Sequence, residues 1–279
     1  MNDPISISLI IVNRNVGELL SHCLDSIKAN GDISHEVIVV DNDSSDGSQA
    51  LLAQKYPEVK LIVNSQNLGF AAACNQGIRT SAGKYPVLLN PDTVVEPGCL
   101  KGLFDFMESN PKTGIAGPRV LNPDGSIQSN CRVVPGYFNI LFARKSPITV
   151  AWPDNHWSRK HMYRDLPEDK SSPVPVLSGV CQILRREMLE SIGLLDERYF
   201  MYMEDMDICL SASLNGWQIF YVPLARIMHH WGKSSEQEKT RMEDEHRKSM
   251  YLFFEKNYRP NIFQKIYLKI ALSAHKLLT

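Results

Sequence analysis

The chain has 279 residues and a formal net charge of −1, with 43% hydrophobic and 22% charged residues. That is room for one large α/β domain or two small ones, and the near-neutral charge gives no general pull toward nucleic acid. Six cysteines, at 23, 74, 99, 131, 181 and 209, show no CxxC or zinc spacing and mostly lie in apolar runs, as small buried residues of a reducing compartment do. The opening apolar run, 5–12, is too short for a signal peptide, and no stretch is long and apolar enough to cross a bilayer.

Residues 5–12 (ISISLIIV) are dense in β-branched side chains and predict a first strand ending at Asn13-Arg14-Asn15. Asn15, with Glu18 three residues on, has the form of a capping box, and the helix after it carries Leu19, Leu20, Cys23, Leu24 and Ile27 on one stripe. Residues 36–40 (EVIVV) predict a second buried strand, closed by Asp41-Asn42-Asp43. A turn at 44–48 offers N-cap residues for a helix running toward Tyr56, and 59–63 predict a third strand. Asn67-Leu68-Gly69 then turns into a helix of small residues, Ala71, Ala72, Ala73 and Cys74, followed by Asn75. Residues 85–89 (YPVLL) predict a central strand that Asn90-Pro91 ends, because proline cannot continue the ladder. Asp92 is thereby delivered to the carboxyl edge of a sheet, where open α/β folds bind ligands. There it holds a divalent cation, and through it a diphosphate, or it only caps the turn before Thr93.

This β-α-β-α-β-α-β alternation implies a parallel sheet flanked by helices on both faces. The polar strand ends Asn13-Arg14, Asp41 and Asp92 then converge on one crevice. No GxGxxG follows the first strand and no Walker A motif is present, which disfavours a dinucleotide-binding oxidoreductase and a P-loop enzyme.

A helix over 96–109 and a strand over 114–121 follow, then a strong turn at 122–125. Residues 150–175 are rich in proline and charge, with little periodicity, and read as a mobile lid or as a surface insertion. A strand over 176–185 is interrupted at Ser178-Gly179, and 187–192 form a short helix. Met206, Cys209, Leu210 and Leu214 recur at helical spacing, so a helix starts near Glu204-Asp205. Both carboxylates fall in its first turn, where the helix dipole favours negative charge and a general base can meet a substrate hydroxyl. Gly216 ends that helix and 217–222 predict a strand. His229 and His230 after it offer one metal ligand or stand as two surface residues. Past Glu255 every charged side chain is basic, while Phe263, Ile266, Tyr267, Ile270, Ala271, Ala274, Leu277 and Leu278 share a helical face. The tail has the form of an interfacial anchor, or of a helix packed on its own domain.

Five stretches, in this order, resemble the family-2 glycosyltransferases and, within them, the bacterial rhamnosyltransferase-like group. They are 8–15 (SLIIVNRN), 39–47 (VVDNDSSDG), 67–75 (NLGFAAACN) with 88–93 (LLNPDT), 200–209 (FMYMEDMDIC), and 229–234 (HHWGKS), in which Gly232 and Ser234 follow a histidine. Each alone is weak; together they are specific for the family and much less so for the sugar. The resemblance implies a GT-A fold: a Rossmann-like, mostly parallel sheet, a smaller acceptor-side subdomain and a C-terminal helical tail. The expected division is 1–122 for the nucleotide-sugar half, 123–235 for the acceptor-side half, and 236–279 for the tail.

By the same resemblance Asp41 accepts the N3–H of uracil or thymine, and Asn13 and Arg14 line the base and phosphate pocket. Asn67, Gly69 and Asn75 lie along the nucleotide, and Asp92 with His229 binds Mg2+ or Mn2+. Asp205, with Glu204 beside it, is the catalytic carboxylate. One position departs from the family's DxD motif: Asn90 stands where the first carboxylate is expected, and it contributes hydrogen bonds to sugar or ribose but no charge. The implied activity is inverting transfer from a dTDP- or UDP-sugar, with dTDP-rhamnose preferred, to a cell-surface glycan or lipid-linked acceptor. The implied place is the cytoplasm at the inner face of the membrane, with peripheral contact through 259–279. A sugar nucleotidyltransferase is disfavoured by the absence of a glycine-rich signature after the first strand. A non-catalytic nucleotide-sugar-binding scaffold is disfavoured by the joint presence of Asp92, Asp205 and His229.

Overall fold

The computed structural model describes residues 5–142, 146–152, 155–230 and 239–274. The first part alternates as the pattern predicts: β1 (Ile7–Asn13), α1 (Gly17–Lys28), β2 (His35–Asn42), α2 (Ser48–Lys55), β3 (Lys60–Asn64), α3 (Phe70–Thr80) and β4 (Tyr85–Leu89). These strands lie in the order β3-β2-β1-β4, all parallel. β1 and β4 are covered on both faces, which is why they read as unbroken apolar runs. The register sets Asn13 beside Asp41 and Asn42 beside Asn64, so polar residues collect at one carboxyl edge.

Next come β5 (Thr93–Val95), α4 (Cys99–Ser109), β6 (Thr113–Leu121), β7 (Ile127–Gln128) and β8 (Cys131–Arg132). A 3-10 turn (Asn139–Phe142), α5 (Pro147–Ala151), α6 (His156–His161), β9 (Ser172–Pro173), β10 (Val176–Leu177), β11 (Cys181–Leu184) and α7 (Arg186–Ile192) follow. The chain closes with α8 (Glu204–Leu214), β12 (Gln218–His229), α9 (Lys239–Tyr258) and α10 (Ile262–Ala274). The main sheet continues past β4 as β11-β6-β12-β5, with mixed directions, while β8 and β10 form a small separate ladder. Strands from both sides of residue 122 therefore share one sheet, with one apolar cluster on each face.

Three local expectations are corrected. The capping box at Asn15 and Glu18 does not form: Asn15 is left-handed, its Oδ1 accepts the Ser45 N–H, and α1 is capped from a distance by Asp46, which accepts the Gly17 N–H at 2.9 Å. The strand expected over 217–222 runs on to His229. Pro223 cannot donate to the ladder, the register with β6 slips between Val222 and Arg226, and pairing then resumes. Its last residues pair antiparallel with β5, a three-residue strand too short to read from the sequence. Within 150–175 the described residues hold α6 and β9, with Met162 and Val174 buried, so this stretch is not a bare lid.

The tail is two-sided. Leu268 is fully buried, in a cluster with Tyr199, Met203, Phe253 and Phe254 on which Tyr267 and Leu272 also pack. Phe263, Ile266 and Ile270 point outward, 78%, 49% and 65% exposed. The expected apolar face is thus split between a packed side and an open side; Leu277 and Leu278 lie outside the described residues.

The small residues of α3 have a measurable consequence. A Cβ on Gly77 would stand 2.4 Å from a methyl group of Ile10, which is buried in β1. Gly77→Ala gains about 1 kcal/mol of helix propensity but overpacks that contact, at a cost of about 1–3 kcal/mol. The variant should unfold at lower urea concentration than the wild type; an unchanged or higher midpoint would show that α3 can move off the sheet.

Candidate active site

Three strand ends and two loops build the site. At the end of β1, Asn13 is fully buried and its amide donates to Asp41 Oδ2 at 2.9 Å and to Ser44 Oγ at 3.0 Å. Asp41, also fully buried, accepts from the Ser44 N–H and from Gln49 Nε2. The two form a polar floor rather than a pocket wall. The pocket above is lined by Arg14, Asn42, Asn67, Gly69, Phe70, Asn90 and Phe200, among others. Of the residues expected along the nucleotide, Arg14, Asn67, Gly69 and Asn90 are therefore brought together. Asn75 is not. Its amide donates to Leu195 O and Glu197 Oε1 and accepts from the Leu195 N–H, so it ties α3 to the chain before α8.

Asn42, which the sequence reading passed over, shapes the loop at 67–69. Its side chain donates to Asn67 Oδ1 and Gly69 O and accepts from the Leu68 N–H. Gly69 has φ +87, and a Cβ there would lie 2.5 Å from the carbonyl oxygen of Phe200, which accepts the neighbouring Phe70 N–H at 2.7 Å. A glycine is needed for both reasons. This contact seats the chain before α8 on the pocket rim.

Asp92 follows β4 and is 1% exposed, yet neither carboxylate oxygen receives a hydrogen bond from a described residue. His229 Nε2 stands 3.2 Å from Asp92 Oδ1. The pairing of β12 with β5 sets His229 beside Thr93 and so brings the imidazole there, while His230 contributes only its backbone N–H to Asp92 O. The tautomer follows from the network. Gln128 Nε2 donates to Asn122 Oδ1, so Gln128 Oε1 accepts the proton on His229 Nδ1 at 2.7 Å. In the neutral imidazole, the Nε2 lone pair then faces a carboxylate oxygen. A cation, or a proton on Nε2, resolves that arrangement, and an imidazole held through its other nitrogen is the usual form of a metal ligand. Gly232 and Ser234 lie outside the described residues.

The first turn of α8 carries Glu204, Asp205 and Asp207. Their surroundings differ. Asp205 is partly open, and its oxygens accept the N–H groups of Gly179 and Met206 at 2.9 and 2.8 Å. Burial raises its proton affinity above the usual aspartate value, and those two N–H groups pull part of the rise back. A base with raised affinity and one open side suits proton abstraction. Val180, next to Gly179, accepts the Asn90 N–H, which joins Asp205 to the pocket. Glu204 turns inward instead. Burial, then the Asp205 charge, pushes its carboxyl well above the ordinary glutamate range, and Oε2 has no partner among the described residues. Asp207 is buried and fully answered, by Lys256 Nζ at 2.6 Å, Asn257 Nδ2 at 3.1 Å and Tyr199 OH at 3.2 Å. Gln128, Asn257 and Lys256 carry no sequence signal for these roles, because each acts across a long stretch of chain.

A parallel half, a polar crevice at its strand ends and carboxylates at a helix start are the arrangement of a group-transferring enzyme of the α/β class. The chain belongs to glycosyl transferase family 2, whose family model matches residues 8–193. It is 32% identical, over 88% of its length and 82% of the relative's, to an N-acetylglucosaminyl-diphospho-decaprenol L-rhamnosyltransferase of Mycobacterium tuberculosis. A low-salt glycan biosynthesis hexosyltransferase of Haloferax volcanii is 27% identical over 74% of this chain and 61% of its own. Among solved structures, a mannosyltransferase of Pyrobaculum calidifontis, in complex with GDP-Man and Mn2+, superposes with a TM-score of 0.63 at 18% identity. That match covers 99% of this chain and 74% of the other. The fold is GT-A, and the chain is a glycosyltransferase of rhamnosyltransferase-like type.

The inward carboxyl makes a prediction about stability. Glu204 binds its proton more tightly folded than unfolded, so its contribution is full below the unfolded value of 4.5 and is lost as pH rises through the raised folded value. Glu204→Gln removes that titration. In urea unfolding from acid to neutral pH, the variant should gain on the wild type as pH rises. A difference that stays constant across that range would show that Glu204 does not carry the proton.

Proposed function

We propose that the chain is an inverting glycosyltransferase that moves a sugar, best read as rhamnose, from a dTDP- or UDP-sugar to a hydroxyl of a growing cell-surface glycan or lipid-linked acceptor. The observation that carries this reading is the buried Asp92 carboxylate, unanswered by any described hydrogen-bond donor and faced by the His229 lone pair. The decaprenyl-linked rhamnosyltransferase at 32% identity supports the sugar and the kind of acceptor.

In this reading residues 1–122 hold the donor and 123–235 present the acceptor. The pyrimidine base lies over the floor made by Asp41 and Asn13, where Asn13 Oδ1 has no partner among the described residues and offers an acceptor beside the carboxylate. Arg14, Asn67, Gly69 and Asn90 flank the rest of the nucleotide sugar. Asp92 and His229 hold Mg2+ or Mn2+. Among the described residues no three metal-binding side chains cluster, so Asp92 and His229 are the two side chains that would hold the ion. When bound, the ion neutralises charge on the departing diphosphate.

Asp205 takes the proton from the acceptor hydroxyl as its oxygen bonds to the anomeric carbon. The sugar–phosphate bond breaks on the opposite side, and its electrons leave with the nucleoside diphosphate. One displacement inverts the configuration. Glu204 and Asn75 support this geometry from within the fold and do not touch substrate. The reaction runs at the inner face of the membrane, which 259–279 meets peripherally.

Titration of dTDP, UDP, GDP and ADP into the protein, with and without Mn2+, tests the donor pocket. Metal-dependent binding of dTDP or UDP is expected. Tight binding of a purine nucleotide, or of none, would overturn the pyrimidine assignment. Asp205→Asn should bind the same nucleotide while turnover falls by at least about a hundredfold, the scale of lost general-base catalysis. Undiminished turnover in that variant would remove Asp205 from the mechanism.

A further inference from the structure

The sequence singles out only the tail as a membrane contact, but the structure sets a second element beside it. Between the 3-10 turn and the end of α6, large apolar side chains stand in the open: Phe138, Val150, Trp152 and Trp157 are 61%, 64%, 68% and 53% exposed. Phe138 and Trp157 meet edge to face, with ring centroids 5.8 Å apart. Exposed tryptophans gathered in a short stretch are unusual on a soluble surface, and large apolar patches mark contacts.

This segment adjoins α10. Tyr137 packs its ring on Phe254, Tyr258 and Tyr267, and its carbonyl accepts the Tyr267 hydroxyl at 2.7 Å. Ile140 of the 3-10 turn joins the same cluster as Leu272 of α10. The exposed aromatics of one element therefore begin directly beside the helix whose outer side carries Ile262, Phe263, Ile266 and Ile270. Those four positions share one face at helical spacing.

Charge selects the occupant. Among the described residues, exposed Lys160 lies in the first element. Exposed Arg259 lies just before the second and exposed Lys269 within it, beyond the last acidic residue of the chain. Tryptophan at the headgroup level, apolar side chains below it and basic side chains around them match an anionic bilayer surface. No helix among the described residues is long and apolar enough to cross a membrane, so the contact lies in the plane of the interface.

We propose that Phe138, Val150, Trp152 and Trp157, together with the outer side of α10, form one membrane-docking face that recognises anionic lipid. The functional link rests on the reading of the acceptor as lipid-linked. The face belongs to the acceptor side, and Lys256, at the end of the helix before α10, is bonded to Asp207 of the catalytic helix. Docking thus presents Asp205 to an acceptor whose lipid remains in the bilayer.

The test is co-sedimentation of the full chain with vesicles of phosphatidylcholine, alone or mixed with phosphatidylglycerol, followed also by tryptophan emission. Binding to the mixed vesicles, with emission shifted to the blue, is expected. Trp152→Ser with Trp157→Ser, and separately Phe263→Ser with Ile270→Ser, should each weaken partitioning by about tenfold or more, as the loss of large buried apolar side chains implies. The thermal midpoint of the Phe263→Ser, Ile270→Ser variant should stay near that of the wild type, because both side chains are mostly exposed, and the tryptophan variant, which also loses the Phe138–Trp157 ring contact, is compared below its own midpoint. Undiminished partitioning of the tryptophan variant would overturn the composite face and leave the tail alone. Equal binding to neutral vesicles would overturn the anionic preference. Self-association of the free chain that both variants abolish would make a second copy the occupant and overturn the proposal. Vesicle binding is read without turnover, so a chain that docks but transfers no sugar would count against the proposed activity and not against this face.

Discussion

A carboxylate can be buried only if something answers its charge, and this fold buries four among its described residues: Asp41, Asp92, Glu204 and Asp207. Each is answered differently. Asp41 is wrapped by an amide, a backbone N–H and a glutamine. Asp207 has a lysine, an asparagine and a tyrosine. For Glu204, burial and then the Asp205 charge push the carboxyl well above the ordinary glutamate range, which disfavours its ionised form. Asp92 alone is left with a histidine lone pair for company. Asp41 and Asp207 are satisfied from within, while Asp92, almost fully buried, has only the facing His229 imidazole, and in the proposed reading that is the place an external cation takes.

Much of this was legible in the sequence. Parallel strands covered on both faces must be apolar throughout, so 5–12, 36–40 and 85–89 announce themselves, and the residues that break each run fall at the ligand edge. What was not legible depends on long-range register. β5 has three residues, and β12 recovers its pairing only after Pro223 has broken it. That register, and not the histidine pair itself, decides between His229 and His230. Asn75 had the position of a nucleotide ligand in its motif but spends its whole amide on Leu195 and Glu197. Glu204 and Asp205 are adjacent on a helix, so they must point in different directions; the sequence shows the pair, and only packing shows which one faces out.

The C-terminal helices answer a question that composition could pose but not settle. An amphipathic pattern alone fits both an anchor and a packed helix. α10 is packed on one side and open on the other, because Leu268 and Tyr267 hold it to the body while Phe263, Ile266 and Ile270 remain outside. A helix fixed in this way would meet the proposed surface without first having to fold, at little ordering cost.

α9 gives that arrangement a rigid scale. Its 20 residues span about 30 Å, and along them Met242 lies on the rim of the pocket and Lys256 lies against Asp207. One helix thus reaches the pocket rim at its first turns and α8 near its last, and hands the chain directly to α10. Loss of α10, which uncovers the cluster that Leu268 closes, and loss of Lys256 are for that reason separable at one narrow place. A chain cut between Tyr258 and Ile262 sheds the outward helix and keeps the lysine. A cut only slightly earlier strands a buried aspartate without its counter-charge, and would be mistaken for proof that the tail itself performs the chemistry.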